Sequence, residues 1–563
     1  MRSVGADTLM RRASRAQGAE AAQLYLQAAQ AFRLADDPDG MDQALSQIDT
    51  AALPAPLHSF YYLLRSEVAF AHNDWLAAQS ALTRATNTLQ RGDPHTAELY
   101  AHIASLCMQR NDPICAANAL IDQSLAGEAQ LTSAHNDQIW HLMDQVSGTI
   151  LTSLAGESDR HAAWWQLKAR LSSSFSIAEQ RRRLAQWNAD FPDHPLLNPP
   201  PQALDTLVAL AWKPRQIALI LPLQGVFANA GKSVRDGFIS AYLYDTDPDK
   251  PTVRIYDSQA EPLPLLYERV LNDGCDMIVG PLTKTMVDAF NDLNPEIPVL
   301  ALNYLDGNVA AANLKQLGLA IEDEAETVVD RLLQSNADSI LVLHSEADWS
   351  RRAAEHVAAH WPYAIVTQGF KDLKTVTEAV GGAMLVDASQ DRFDALQQLL
   401  GEDLEFLPRA RKDLDAVVVF VSNIEANAVV PALKYHFADD LPVYASSQVA
   451  REARSEIGLD ILGGFQICDM PFNLLDSPFK KELTQVFNLG ADNLTPLYVL
   501  GVDAYSVSNQ LMLLTSDQPR LLANTGELTM NDQGQFRREL VWGYISQGEL
   551  RPVPVVVDQP IGL

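Results

Sequence analysis

The stretch QIALILPLQGVFANAGKSVRDGFISAYLYD, Gln216 to Asp245, runs from an apolar segment through a glycine-containing loop into an amphipathic segment. The apolar run Ile217–Leu221 is typical of a parallel strand that is buried on both faces. Pro222 ends the strand because it has no backbone N–H to donate. Val234 and Phe238 then recur at helical spacing. The stretch therefore predicts the first strand and helix of an α/β domain, in which ligands bind at the carboxyl ends of strands.

The segment Gly231-Lys232-Ser233 looks like the end of a phosphate-binding loop, but its spacing differs. Five residues separate Gly225 from Gly231, whereas a phosphate loop has four residues between its first glycine and the Gly-Lys pair. The extra residue prevents successive amides from converging on the phosphates in the usual way. The spacing argues against nucleotide hydrolysis.

Strand and helix patterns alternate after Asp245, as they do in a parallel sheet with helical crossovers. A second series of alternations begins after about Leu317 and predicts two lobes. Residues 497–514 are expected to form one long helix, and residues 526–550 a hairpin with turns at 531–534 and 547–548. The predicted strands after the first are Val253–Ser258, Met277–Leu282, Pro298–Asn303, Ser339–Ser345, Ala364–Phe370, Ala416–Ser422 and Pro442–Ser447.

Residues 1–200 are predicted to be helical and contain an internal repeat. In three segments an acidic or amide turn is followed by an Ala-Leu pair: ADDPDGMDQAL at 35–45, HNDWLAAQSAL at 72–82 and RNDPICAANAL at 110–120. The period of 37 and then 38 residues suits paired helices and is close to the roughly 34 residues of a tetratricopeptide repeat. An irregular helical bundle is the alternative.

Three consecutive prolines, Pro199 to Pro201, cannot continue a helix and favour a stiff, extended spacer. We therefore expect a helical domain at residues 1–200, a linker at 201–215 and a two-lobed domain at 216–563. Lobe 1 is expected to contain approximately 216–317 and part of 445–563. Lobe 2 is expected to contain approximately 318–444 and the remainder of the tail.

The acidic charge of the chain is concentrated in its carboxyl-terminal part. Residues 1–200 hold 15 Lys and Arg against 21 Asp and Glu, and the rest of the chain holds 27 against 50. Such a surface would repel nucleic acid and anionic lipid, and it would attract a basic patch on a partner protein. Apolar residues make up 47% of the chain, which suits large buried cores, but no apolar run approaches the roughly 20 residues of a membrane-spanning helix.

The chain from residue 216 onward resembles the type I periplasmic binding-protein fold, in which two doubly wound lobes are joined by hinge strands. Three segments carry the likeness in order: LPL at 221–223 with glycines at 225, 231 and 237, VGPL at 279–282, and GVDAY at 501–505. Together with the helical repeat and the proline-rich joint, they resemble the LppC/LpoA family of outer-membrane lipoproteins. Members of this family activate a class A penicillin-binding protein.

The resemblance implies an N-terminal all-α, tetratricopeptide-like solenoid and a C-terminal α/β two-lobed domain. It also implies a non-catalytic regulator, without catalytic residues, cofactor or metal, that activates the transpeptidase of a bifunctional peptidoglycan synthase. The synthase would contact the C-terminal domain, close to peptidoglycan, and no nucleic acid would take part. The alternative is a periplasmic protein that binds or senses a small molecule in the cleft between the lobes.

The resemblance further implies a lipid anchor at the periplasmic face of the outer membrane. The first residues, MRSVGADTLMRRASRAQGAEAAQLY, contain no apolar stretch, and the first cysteine is Cys107. We therefore expect the signal and the lipid-modified cysteine to be missing from this chain.

In type I binding proteins the loops at strand ends line the cleft. If the cleft held a polar ligand, Thr283 and Asn303 would orient the ligand and Tyr304 would stack on it. For this family we expect instead a cleft without a ligand, in which these residues cap helices or join the lobes. The corresponding candidate residues here are Leu223, Gln224, Gly225, Thr283, Lys284, Asn303 and Tyr304.

Four cysteines allow three disulfide pairings and fit an oxidising compartment. Cys107 and Cys115 flank a turn and can face each other across a helical hairpin, which leaves Cys275 and Cys468 as the other candidate pair. Four buried thiols are the alternative.

A pair of histidines, His356 and His360, is spaced to share one face of a helix. The pair lacks the internal glutamate of a His-Glu-x-x-His motif, and the sequence shows no evident third ligand. A surface or packing role is the expectation for both histidines.

Overall fold

The computed structural model describes residues 4–126, 132–156, 161–209, 212–305, 307, 309–400, 410–451, 459–486, 494–514 and 520–554. The predicted ends of the chain's domains, residues 1–3 and 555–563, lie outside these ranges, as do residues 210 and 211 of the predicted linker. Within the described residues the chain forms two compact units, one of residues 4–171 and 181–209 and one of residues 172–180 and 212–554. No described helix combines the length and apolar character needed to cross a membrane.

The first unit is built from helices, as expected. Its helices are α1 (Val4–Ala13), α2 (Gly18–Leu34), α3 (Pro38–Ser46), α4 (His58–Ala71), α5 (Trp75–Thr88), α6 (Thr96–Gln109), α7 (Pro113–Leu125), α8 (Ser133–Asp144), α9 (Gly148–Ala155), α10 (Ala162–Ser172), α11 (Ile177–Asp190) and α12 (Gln202–Ala209). The first four residues of α11, like Ser172 at the end of α10, belong to the second unit. Helix α12 lies within the predicted linker and belongs to the first unit.

The sequence repeat marks the turn inside each helical hairpin. In all three copies a residue with a left-handed backbone precedes an aspartate, in the pairs Asp36-Asp37, Asn73-Asp74 and Asn111-Asp112. Short polar residues adopt this backbone conformation more readily than other side chains do. Each aspartate caps the next helix by accepting a backbone N–H at 2.9–3.0 Å. The repeat therefore specifies the hairpins α2–α3, α4–α5 and α6–α7, whose buried Ala-Leu pairs lie on the second helix.

The cysteines of the first unit lie on one of these hairpins. Cys107 on α6 and Cys115 on α7 form a disulfide, with their Cα atoms 5.7 Å apart. The other candidate pair, Cys275 and Cys468, does not form a disulfide. Both thiols are free and are buried in the cores of different sheets.

The second unit contains a parallel five-stranded sheet, whose spatial order is the second, first, third, fourth and fifth strand along the chain. Ile217, Leu219 and Leu221 pack into the core on one face of this sheet, and Ala218 and Ile220 pack into the core on the other. The first strand is therefore buried on both faces, as its sequence predicts. We call this part lobe 1; its elements are β1 (Gln216–Leu221), α13 (Ala228–Tyr244), β2 (Thr252–Asp257), α14 (Leu263–Asn272), β3 (Met277–Val279), α15 (Lys284–Leu293), β4 (Val299–Ala301) and β5 (Leu314–Gln316).

A second series of strands and helices follows and forms lobe 2. Its elements are α16 (Ile321–Gln334), β6 (Ser339–Ser345), α17 (Asp348–His360), β7 (Ala364–Phe370), α18 (Val376–Ala383), α19 (Val386–Leu400), β8 (Ala416–Phe420), α20 (Asn423–Tyr435), β9 (Val443–Ala445), α21 (Gln448–Arg451) and β10 (Gln466–Asp469). Strands β6 to β10 are parallel where they pair, in the order β7-β6-β8-β9-β10. The predicted pair of doubly wound lobes is confirmed.

The remaining elements are divided between the two lobes. They are α22 (Pro471–Leu474), α23 (Pro478–Val486), α24 (Thr495–Leu514), β11 (Leu521–Leu522), β12 (Glu527–Met530), β13 (Phe536–Glu539), β14 (Val541–Ser546) and β15 (Glu549–Pro552). Strands β11 to β13 form a small antiparallel sheet, whereas β14 and β15 extend the sheet of lobe 2 beyond β10. The single hairpin predicted for this region is in fact two hairpins in different sheets, although both predicted turns are present.

Glycines allow helices α13 and α24 to pack closely. A Cβ atom at Gly237 would lie 1.8 Å from the carbonyl oxygen of Tyr498, and one at Gly501 would lie 2.0 Å from that of Val234. Both distances are far shorter than any van der Waals contact. Gly237 and Gly501, which the resemblance singled out, are therefore required for the packing of lobe 1.

Candidate functional site

In the part of the chain that the structure describes, three crossings connect the two lobes and form the joint between them. The first crossing follows β5, the second lies between Asp469 and Met470, and the third lies between β13 and β14. Between the second and third crossings, the apolar side chains of α22 to β13 pack into the same core as β1. Lobe 1 is therefore completed by the late part of the chain.

A buried ion pair ties the first crossing to the third. Arg538 on β13 donates from Nε to Oδ2 of Asp323 on α16 at 3.1 Å, and both side chains are less than 10% exposed. Arg538 also donates from Nη2 to the carbonyl oxygen of Ala320 at 2.9 Å. Burial alone would lower the pKa of Arg538, but the Asp323 carboxylate raises it. The guanidinium stays charged and fixes two crossings together.

A second buried carboxylate joins the start of α16 to the end of β9. Glu324 accepts the backbone N–H of Ser447 at 2.8 Å and the hydroxyl of Ser447 at 2.9 Å. Burial raises the pKa of Glu324, and the hydrogen bonds from Ser447 oppose that rise. Both carboxylate oxygens of Glu324 therefore accept a hydrogen bond from Ser447, which holds the loop after β9.

The GVDAY segment has a similar structural task. Asp503 on α24 accepts the backbone N–H groups of Asn524 and Thr525, at 2.9 and 2.6 Å, and the side-chain amide of Asn524 at 3.0 Å. Tyr505, two residues on, donates its hydroxyl to Oδ2 of Asp245 at 2.7 Å. The contacts of Asp503 hold the chain that leads into β12, and the contact of Tyr505 ties α24 to the end of α13.

The candidate cleft residues at the first two strand ends lie at or near the surface of lobe 1. Leu223 is half-buried, and Gln224 and Gly225 are exposed in the loop between β1 and α13. Gly225 has a φ of +72°, a conformation that favours glycine. Thr283 is the N-cap residue of α15, and Lys284 is its exposed first residue.

The candidates after β4 make contacts within the protein. Asn303 donates from its side-chain amide to the carbonyl oxygen of Leu282 at 3.0 Å, and its side-chain oxygen accepts the N–H of Tyr304 at 3.0 Å. Tyr304 donates its hydroxyl to the carbonyl oxygen of Phe536 at 2.9 Å, and its ring lies against Gly318. Asn303 therefore ties together the loops after β3 and β4, and Tyr304 connects the loop after β4 to β13 and to the first crossing.

A separate cavity of about 840 Å³ lies in lobe 2, at the carboxyl ends of β6 and β7. Charges of both signs line it, from Arg351 and Lys371 on one hand and Glu346 and Glu378 on the other. His344 reaches the wall of the cavity, and a Cβ atom at the facing Gly369 would lie 2.8 Å from its ring. The cavity can hold a polar ligand but contains none of the predicted cleft residues.

The charged residues of the joint were not predicted from the sequence, although the pattern of β13 indicates that Arg538 is buried. In β13, FRRE, alternation places Phe536 and Arg538 on the same face of the strand, so the buried Phe536 marks Arg538 as inward-facing. Asp323 and Glu324 carry no such mark, because acidic residues are common in the first turn of any helix.

Comparison with known proteins places the chain in a family. Residues 2–548 match the family described as "LppC putative lipoprotein". The penicillin-binding protein activator LpoA of Vibrio cholerae is 27% identical over 424 residues, covering 72% of this chain and 70% of that protein. Its counterpart from Aliivibrio fischeri is 25% identical over 554 residues, covering 94% and 90%.

A solved structure shares the fold over both units. The crystal structure of full-length LpoA from Haemophilus influenzae superimposes with a TM-score of 0.51 at 21% identity, covering 98% of this chain and 99% of that one. Because the family match spans nearly all of the chain, this protein belongs to the LppC family of lipoproteins.

Proposed function

We propose that this protein activates the transpeptidase of a bifunctional class A penicillin-binding protein. The observation that carries the proposal is the family match across residues 2–548, which includes both the helical unit and the two-lobed unit. Relatives named penicillin-binding protein activator align over as much as 94% of this chain. We therefore assign the activity to a protein that contains both the helical unit and the two-lobed unit.

The protein acts without catalysis of its own. Three buried carboxylates of the second unit are engaged in structural contacts: Asp323 with Arg538, Glu324 with Ser447, and Asp503 with the backbone before β12. A catalytic acid or base needs a free position next to a substrate. These carboxylates support the architecture, which favours a regulator over an enzyme.

The second unit is the proposed contact surface for the synthase. Its strong excess of acidic residues would attract a basic surface on the partner and speed their encounter. Membership of a lipoprotein family supports attachment to the periplasmic face of the outer membrane, from which the protein would reach the synthase near peptidoglycan. Stimulation should weaken as ionic strength rises, because salt screens exposed charges.

Small-molecule sensing in the interlobe cleft has less support. Asn303 and Tyr304, the residues that would orient and stack on a ligand, direct their polar groups at the backbone of the protein itself. A ligand would have to break these contacts before it could use them.

The proposal is tested by peptidoglycan synthesis from lipid II with the cognate class A synthase. We expect the full-length chain to increase the crosslinked fraction of the product. A synthase whose transpeptidase serine is replaced provides the control, because the chain should then produce no crosslinks. Crosslinks formed without an active synthase would overturn the non-catalytic assignment, and an unchanged crosslinked fraction would overturn the activator assignment.

A further inference from the structure

Helices α16 and α17 lie side by side on one face of the lobe 2 sheet, and side chains of opposite charge pair along their contact. Nη1 of Arg352 lies 3.2 Å from Oε1 of Glu322. One turn further along both helices, Nε2 of His356 lies 2.6 Å from Oε2 of Glu326. The step of four residues on each helix shows that the helices run in the same direction, so their facing turns stay in register.

His360 extends this contact into a cluster of three metal-binding side chains. Its ring stacks on that of His356, with centroids 4.1 Å apart and an angle of 23° between the rings. One donor atom each from Glu326, His356 and His360 lies within 4.8 Å of the others. The sequence shows the two histidines but not the third ligand, because only the packing of α16 against α17 brings Glu326 to them.

The hydrogen bonding of His360 prepares it as a ligand. Its Nδ1 lies 2.9 Å from the carbonyl oxygen of His356, which can only accept, so Nδ1 carries the proton. The lone pair of His360 is then on Nε2. Metal-binding histidines commonly donate their second ring nitrogen to a backbone carbonyl in this way, which fixes the tautomer.

Two imidazoles and a carboxylate are a ligand set typical of zinc. Zinc sites with three protein ligands leave a fourth position to water, and bonds of 2.0–2.1 Å place neighbouring ligand atoms about 3.3 Å apart. The separations in the cluster, from 2.6 Å to at most 4.8 Å, span this value. Because the His356 and His360 rings are stacked at 23°, one ring would turn when an ion binds, so that both in-plane lone pairs point at the ion. His360 is exposed, so an ion can enter from solvent.

A second group of similar composition lies in the first unit, but it is not suited to binding a metal ion. Glu67, Glu98 and His102 also bring three donor atoms within 4.8 Å of one another. Arg33 pairs with both of these carboxylates, with Nη2 at 2.6 Å from Oε1 of Glu67. The guanidinium already supplies the positive charge there. Among the described residues, Glu326 pairs with no Lys or Arg.

We propose that Glu326, His356 and His360 bind a divalent transition-metal ion of the zinc class. Imidazole nitrogen selects such ions over Mg²⁺ and Ca²⁺, which prefer all-oxygen sites. The ion bridges α16 and α17 and so links the helices that flank β6. Since the ligands converge only in the folded lobe, binding stabilises lobe 2 by mass action.

Calorimetric titration of the untagged, chelator-treated full-length chain with ZnCl₂ tests the site. We expect one ion per chain at the α16–α17 cluster, a rise in the melting temperature with ZnCl₂, and no rise with equimolar MgCl₂. Replacing the exposed His360 with Ala should weaken zinc binding by about tenfold or more. Glu326→Gln should weaken it similarly, because the amide oxygen is uncharged.

The matched control is His102→Gln, which alters the cluster that Arg33 occupies and should leave zinc affinity unchanged. The melting temperature of metal-free His360→Ala should equal that of the metal-free parent, which separates loss of a ligand from loss of folding. The proposal is overturned if zinc does not bind, if it binds no more tightly than Mg²⁺, or if affinity survives in both His360→Ala and Glu326→Gln.

Discussion

Arg538 and Asp323 lie 215 residues apart in the chain and form a buried ion pair, with Nε and Oδ2 3.1 Å apart. Asp323 lies just after the first crossing between the lobes, and Arg538 lies just before the third. The pair therefore fixes where the first and third crossings meet. The sequence around neither residue identifies the other as its partner.

Removing one partner of this pair should be costly. Arg538→Met leaves the Asp323 carboxylate buried without its counter-charge, and we expect a loss of about 3–5 kcal/mol in the free energy of unfolding. The double variant Asp323→Leu with Arg538→Met should be more stable than Arg538→Met alone, because it also removes the buried carboxylate that lost its partner. Urea denaturation followed by tryptophan fluorescence measures both.

The exposed pair of Arg551 and Glu549, 2.9 Å apart, is the control for this comparison. Arg551→Met should change stability by less than about 1 kcal/mol, because solvent screens the pair. Equal losses for the variants at positions 538 and 551 would show that the buried pair contributes nothing special.

The close packing of α13 and α24 predicts strong intolerance of a methyl group at Gly501. In Gly501→Ala the new Cβ would overlap the carbonyl oxygen of Val234, so the helices must move apart. We expect a loss of about 3 kcal/mol or more in stability. A methyl group at Gly382 on α18 would have no heavy atom within 4 Å, and Gly382→Ala should stabilise by about 0.5–1 kcal/mol. Thermal melts measure both variants, and equal melting temperatures for Gly501→Ala and Gly382→Ala would contradict this close packing.

His194 makes the stability of the helical unit depend on pH. Burial lowers its pKa to about 4, and its Nδ1 accepts the backbone N–H of Leu196 at 3.2 Å, which requires an unprotonated nitrogen. Trp164 and Trp187 pack edge-on against its ring. As pH falls from about 6.5 to about 4, the unfolded chain takes up a proton at His194 that the folded chain does not. Stability therefore falls in this window.

His194→Asn should reduce that loss. Asparagine can accept the N–H of Leu196 but does not titrate, so the difference in unfolding free energy between pH 7 and pH 4.5 should shrink by about 1–2 kcal/mol. The exposed His72 provides the control, since His72→Asn should leave the pH profile close to that of the parent. A parent-like profile for His194→Asn would exclude His194 as the cause.

The disulfide between Cys107 and Cys115 should stabilise the α6–α7 hairpin. Closing this short loop restricts the unfolded chain, and we expect reduction to cost about 2–3 kcal/mol. Mass spectrometry of the oxidised, folded protein should show one disulfide-linked peptide and two thiols, at Cys275 and Cys468, that react with iodoacetamide only after denaturation. Four reactive thiols in the oxidised protein would contradict the pairing.

The sequence predicts the elements whose signal is local. The apolar run Ile217–Leu221 and the turn at Asn73-Asp74 each contain the whole reason for the structure they form, namely burial on two faces and a capped helix. Strands β5, β10 and β11 were not predicted, because none of them contains an apolar run of three residues, unlike the equally short β3, β4 and β9. Pairing with their neighbours makes them strands.

The candidate sites depend on tertiary packing and were harder to predict for that reason. The histidine pair at 356 and 360 is visible in the sequence, whereas Glu326 reaches it only through the register of two helices. Likewise, the sequence around Tyr304 allows either a role in ligand binding or a structural contact. The choice depends on tertiary packing, because the hydroxyl of Tyr304 donates to the carbonyl oxygen of Phe536, 232 residues away.

The most direct test of the proposed function is the crosslinked fraction of peptidoglycan made from lipid II by the cognate class A synthase, measured against increasing concentrations of the full-length chain. The crosslinked fraction should rise to saturation, and this rise should disappear when the transpeptidase serine of the synthase is replaced. A crosslinked fraction that stays constant at every concentration, although chain and synthase are both folded, would contradict the account.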